Sequence, residues 1–188
     1  MVPAGNVTAI GLVTRAQNYY LAGVICKDQN QSNAKRHDLM FPTLSLYGHC
    51  LELSLKGWLM YGGRSAAELK SIGHNLCKLL KYSLKTGLVL DTTEIVMAYA
   101  DQVPDMHVTD DGDLVNERQR LQKLSQKTQR REVLIHFLML NELHGVPYLA
   151  RYPQTGLLSV PNLGLVDALV NSILDQSWRA VMQRVRNS

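Results

Sequence analysis

The segment PTLSLYGHCLELSLKGWLMY, residues 42 to 61, is too long for an ordinary strand and, wound as a helix, is apolar on nearly every side. Leu44, Leu46, Leu51, Leu53, Leu55, Trp58 and Leu59 surround the axis. A helix of that kind belongs in the centre of a helical protein, packed by neighbours on all sides. Pro42 suits a first turn and Gly62–Gly63 suit a stop. Yet the same helix carries Ser45, His49, Glu52 and Lys56, at steps of four, three and four, along one face. Glu52 precedes Lys56 in the order that favours an ion pair. Buried charge costs several kcal/mol unless it is paired and hydrogen-bonded. The stripe is therefore either an internal polar network that fixes helix packing or the lining of a ligand pocket.

The surrounding sequence is helical too. Strand signals are weak, aromatic residues make up 6%, and leucine recurs at helical spacing. Helices are expected from about Val7 to Asp28, Pro42 to Tyr61, Asn75 to Lys85, Thr92 to Gln102, Leu114 to His144 and Asn162 to Arg186, with RSAAELKSIG as a short helical turn or link and DMHVTDDGD as a loop. This makes an all-α antiparallel bundle of five to six helices in a single domain, 1–188. Gly73 lets the chain turn before the third of these helices, and His74 or Asn75 can accept an unpaired backbone N–H at its start. His74 is also placed to meet Glu52, donating to it while Lys56 balances the same carboxylate.

Charge is segregated between residues 91 and 131. Asp91, Glu94, Asp101, Asp105, Asp110, Asp111 and Asp113 precede any base, and Arg118, Arg120, Lys123, Lys127, Arg130 and Arg131 follow without an acid. Such blocks serve nucleic acid, a partner, or each other. The net charge of +4 is mild. Cys26, Cys50 and Cys77 are scattered and odd in number, which reads as free thiols in a cytoplasmic protein rather than a disulfide framework. No signal peptide or membrane span is expected. No metal site or cofactor is expected either: there is no Cys-x-x-Cys, no His-Glu-x-x-His and no Gly-rich phosphate loop, and the acidic run at 110–113 lacks the ligand period of a calcium loop.

Three stretches, FPTLSLYGHCLELSLKGWL, IGHNLCKLLKYSLKTGL and LMLNELHGVPYLARYP, resemble in order the motifs of bacterial HEPN-like proteins: a Leu-Glu-Leu-x-Leu-Lys helix, a Gly-His-Asp/Asn-Leu-x-x-Leu helix start and an Arg-Tyr-Pro segment. The resemblance spans Phe41 to Gly87 and Leu138 to Pro153, about half the chain. The block 88–137 stands outside it as an insert, acidic and then basic. The resemblance implies a compact helical bundle, a homodimer, and either a non-catalytic module that binds nucleotide, RNA or a protein partner, or a metal-independent RNase of a toxin or antiviral defence system.

On the first reading the ligand-binding residues are His49, Glu52, Lys56, His74, Asn75, Arg151 and Tyr152. Arg151 would hold a phosphate or carboxylate, or else close the network on Glu52 or Glu142, and Tyr152 would stack or donate its hydroxyl. His144 then merely ends its helix, where an imidazole suits the carbonyl ends. On the second reading the catalytic pair is Arg131 and His136, an Arg-x4-His spacing, with Arg118, Arg120, Lys123, Lys127 and Arg130 gripping phosphates. The residue after Arg131 is Glu132, where the family motif usually has Asn, Asp or His. Five residues also turn about 140° on an ideal helix, so convergence would call on a second copy or a distorted helix.

Overall fold

The computed structural model describes residues 7–32, 39–103, 107–108, 114–145 and 160–186. Eight helices lie among them: α1 (Ala9–Ser32), α2 (Met40–Tyr61), α3 (Ala66–Ile72), α4 (Leu76–Lys85), α5 (Thr92–Ala100), α6 (Glu117–Gln122), α7 (Gln126–Gly145) and α8 (Leu163–Arg186). A two-residue antiparallel bridge, β1 (His107–Val108) to β2 (Leu114–Val115), precedes α6. No helix among the described residues is long and apolar enough to cross a membrane.

The all-round apolar sequence of α2 does place it at the centre. Leu44, Tyr47, Cys50, Leu51, Leu55 and Leu59 are fully or almost fully buried, and α1, α4, α7 and α8 pack around it. Helix α1 approaches closely because two glycines omit a side chain. A Cβ on Gly57 would stand 2.6 Å from the Val13 side chain, and one on Gly23 would stand 2.5 Å from the Tyr47 ring. Those two contacts also fix direction: the start of α1 meets the end of α2, so the pair is antiparallel. The segment 88–137 contributes Leu88, Ile95, Val96, Leu121 and Val133 to the same hydrophobic core and is part of the bundle. Within it the acidic and basic blocks meet where Arg118 Nη2 donates to Asp101 Oδ1 at 2.6 Å.

Two expectations are corrected here. The stretch from Leu114 to His144 is not one helix but a bridge strand and two helices. Asn116 and Ser125 interrupt it, their side chains accepting the N–H groups of Gln119 at 2.9 Å and Thr128 at 3.3 Å. Short polar side chains that bond to nearby backbone start new helices at the expense of a continuous one. Nor is the bundle uniformly antiparallel. Glu52 meets His74 and, six residues on, Trp58 Nε1 donates to Thr86 Oγ1 at 3.0 Å, so α4 runs parallel to α2. The reason is α3, capped by Ser65 in a reciprocal box with Glu68, which carries the chain back before α4 begins. Helix α8 also runs parallel to α2, with Tyr47 bonded to Asp167 and the Tyr61 carbonyl accepting from Arg184.

Candidate functional site

Glu52 is the hub of a polar cluster inside the bundle. Its side chain is 6% exposed, and both carboxylate oxygens are occupied. Oε1 accepts from Lys56 Nζ at 2.6 Å. Oε2 meets His144 Nε2 at 2.7 Å. His74 Nδ1 bridges the two oxygens at 3.0 and 2.9 Å. Two helices and one turn therefore converge on one carboxylate: α2 supplies Glu52 and Lys56, the turn before α4 supplies His74, and the last turn of α7 supplies His144.

Each donor is delivered by local chain chemistry. Gly73 turns with φ +71°, Asn75 caps α4 by accepting the Lys78 N–H at 2.8 Å, and His74 between them swings to the mouth of the cluster, its side chain 75% exposed. Asn75 serves the helix start, and the hydrogen bonds to Glu52 come from Lys56, His74 and His144. His144 is the reverse case, its side chain 4% exposed. It follows Val133, Phe137 and Leu140 down the buried face of α7 at steps of four, three and four. Asn141, one residue past Leu140, accepts the Cys77 N–H at 3.2 Å and ties this end of α7 to the first turn of α4. Gly48 of α2 makes room: a Cβ there would lie 2.6 Å from His144 Nδ1. His49, the next residue, packs its ring 4.9 Å from the His144 ring and 5.2 Å from that of Tyr19.

The electrostatics follow from this geometry. Burial by itself would raise the Glu52 carboxyl, but the hydrogen bonds of His144, Lys56 and His74 and the Lys56 charge outweigh it and hold the group at about 2. Glu52 is thus an anion throughout the physiological range. His49 is pushed below the usual imidazole value, by burial first and then by the neighbouring His144, against the pull of Glu52. Partial burial and the neighbouring imidazoles favour a neutral ring at position 49.

Of the residues expected at the site, the structure gathers His49, Glu52, Lys56 and His74. Arg151 and Tyr152 lie outside the described residues. Position 144, expected only to close its helix, instead supplies the most deeply buried donor. Arg131 stands exposed on α7, while His136 is half-buried and its Nδ1 accepts the Asn162 N–H at 3.1 Å, at the head of α8. Burial lowers the His136 imidazole, with Glu132 opposing. Lys123, Lys127 and Arg130 are exposed.

A second buried cluster escaped the sequence reading. Asp167 of α8 accepts the Tyr47 hydroxyl at 2.7 Å on Oδ1 and the Lys27 ammonium at 2.5 Å on Oδ2. Lys27 also donates to Gln102 Oε1 at 3.3 Å. Burial, with the Asp167 carboxylate second, raises the phenols of Tyr20 and Tyr47 well above their ordinary value. This cluster joins α1, α2 and α8.

Compared with known proteins, the chain matches no family model, no curated protein and no solved structure.

Proposed function

We propose that the chain is a HEPN-like helical module that binds an anionic small ligand of the nucleotide class beside the Glu52 cluster. The observation that carries this reading is a concave pocket of about 480 Å³ where α1, α2 and α3 meet, opening directly onto Lys56 and His74. Leu12, Leu53 and Leu69 line it, and Lys56, Lys70 and His74 supply its basic groups. Pockets of about 300–1,000 Å³ with apolar walls and a few placed polar groups are the usual form of small-molecule sites. An apolar wall suits a flat base or similar body, and two ammonium groups with an imidazole suit a phosphate. Glu52 holds Lys56 and His74 in position from behind and neutralises part of the Lys56 charge. The motif resemblance to HEPN-like proteins agrees with the class of ligand.

The test is calorimetric titration of the purified chain with nucleoside mono-, di- and triphosphates and with the corresponding nucleosides. Binding is expected for the phosphorylated members alone and is expected to weaken as salt rises. Lys70 is exposed and outside the Glu52 hydrogen bonds, so Lys70→Ala should leave stability unchanged while weakening binding about tenfold or more, the weight of one charge-assisted contact. Equal affinity for nucleoside and nucleotide, or none for either, removes the proposal.

The alternative, a metal-independent RNase using Arg131 and His136, rests on their spacing. His136 Nδ1 is engaged by the Asn162 backbone, and Arg131 belongs to the exposed side of α7. We expect no cleavage of structured RNA in EDTA, followed on a denaturing gel. Cleavage that His136→Ala abolishes would make the RNase the better account.

A further inference from the structure

We propose that His49, Glu52 and His144 form a binding site for a divalent transition-metal ion of the zinc class. Each side chain offers one ligand atom, and these atoms lie within 4.8 Å of one another. Two imidazole nitrogens and one carboxylate oxygen are a donor set for Zn²⁺ and its first-row neighbours. Mg²⁺ and Ca²⁺ prefer oxygen alone.

The fold presents the set from two rigid elements. His49 and Glu52 are three residues apart on one face of α2, and His144 is brought in by the buried stripe of α7 through the gap at Gly48. Lys56 bonds to Glu52 Oε1 and leaves Oε2 turned toward the imidazoles, the arrangement by which an outer partner orients a metal-ligating carboxylate. Among the described residues, the His49 ring is located by two ring contacts, to Tyr19 and to His144. His74 Nδ1, 2.9 Å from Oε2, is the nearest further donor for a fourth position.

The metal-free spacing is compatible with closure on an ion. Ligand atoms about 2.0–2.1 Å from a tetrahedral ion stand roughly 3.3 Å apart. The His144–Glu52 pair, at 2.7 Å, would open slightly, and the His49 nitrogen would close in by rotation of its side chain at the rim. The ion takes the place of the hydrogen bond between His144 Nε2 and Glu52 Oε2, and the metal-bound imidazole carries its proton on Nδ1. Neither His49 nor His144 lines the pocket at Lys56 and Lys70, so variants at these two positions test the metal apart from the nucleotide reading, with which the site shares Glu52 and His74.

The purified full chain, freed of chelator, is titrated with Co²⁺ while its visible absorption is followed, and then with Zn²⁺ in competition. The expected result is saturation at one equivalent with the intense bands of four-coordinate cobalt, bleached by one equivalent of Zn²⁺ and indifferent to millimolar Mg²⁺. His49→Gln, at the rim, should retain the circular dichroism and melting temperature of the metal-free protein and lose at least about tenfold in affinity. His144→Gln should lose at least as much. Absence of a saturating one-equivalent signal overturns the proposal. So does undiminished affinity in His49→Gln, which would mean adventitious binding at other surface groups.

Discussion

Asp167→Ala is expected to destabilise the protein by about 3–5 kcal/mol, the range for removing one partner of a buried ion pair. Lys27 is 10% exposed and would be left with Gln102 as its remaining partner, while the Tyr47 hydroxyl would lose its acceptor in a fully buried position. In a chain of 188 residues that loss corresponds to a fall in melting temperature of roughly 10 °C. Asp167→Asn separates the two contributions. The amide oxygen still accepts one hydrogen bond, but the ammonium loses its countercharge, so most of the loss should persist. Replacing both partners, Lys27→Met with Asp167→Leu, should recover much of the stability, because the desolvated charges disappear together. Tyr47→Phe alone should cost far less, about 1 kcal/mol, the ordinary weight of a hydrogen bond, with the acceptor still satisfied by Lys27. Guanidinium melts of the four variants decide the matter. If Asp167→Ala proved as mild as Tyr47→Phe, the Lys27–Asp167 pair would not be a buried one.

Why that pair was invisible in the sequence, while Glu52 was not, is a matter of separation along the chain. Glu52 and Lys56 are one turn apart on a helix whose apolar surroundings announce burial, and His74 opens the next long apolar run, so their meeting was legible. Asp167 is a lone acid within LGLVDALV, and its partner Lys27 lies 140 residues away. Nothing local marks either as buried. His144 is intermediate. Its alignment with Phe137 and Leu140 is visible in the sequence, but a histidine near a helix end has a ready dipole explanation, which hides the stripe. The division of 114–145 into two helices turned on Asn116 and Ser125, whose side chains outbid helix continuity by short-range bonds that propensity alone does not rank. The parallel course of α4 depended on α3 forming a full turn-back, which seven residues with a Ser–Glu capping box achieve and which a loop would not.

Glu52→Ala should cost about 3 kcal/mol at pH 7, the lower part of the range for breaking a buried charged network, since Lys56 stands beside the pocket and can turn toward water. The more telling result is its pH dependence, measured in EDTA. The Glu52 carboxyl sits at about 2 in the folded chain against an ordinary value of 4.5, so the unfolded chain takes up the proton first. The stability it contributes is complete above about pH 4.5 and is lost progressively as pH falls toward 2. Wild type should therefore lose stability steeply across that window, and Glu52→Ala should do so less, the two curves converging as acid is added. His74→Ala removes one of three donors and the most exposed of them, so it should shift the curve in the same sense but by a smaller amount, while His144→Ala, which empties a buried position, should approach the effect of Glu52→Ala. Denaturant titrations at pH 7, 4.5 and 3 supply the comparison. Parallel curves for wild type and Glu52→Ala would mean that the carboxylate titrates as an ordinary surface group, and the enclosed hub on which the ligand pocket leans would be gone.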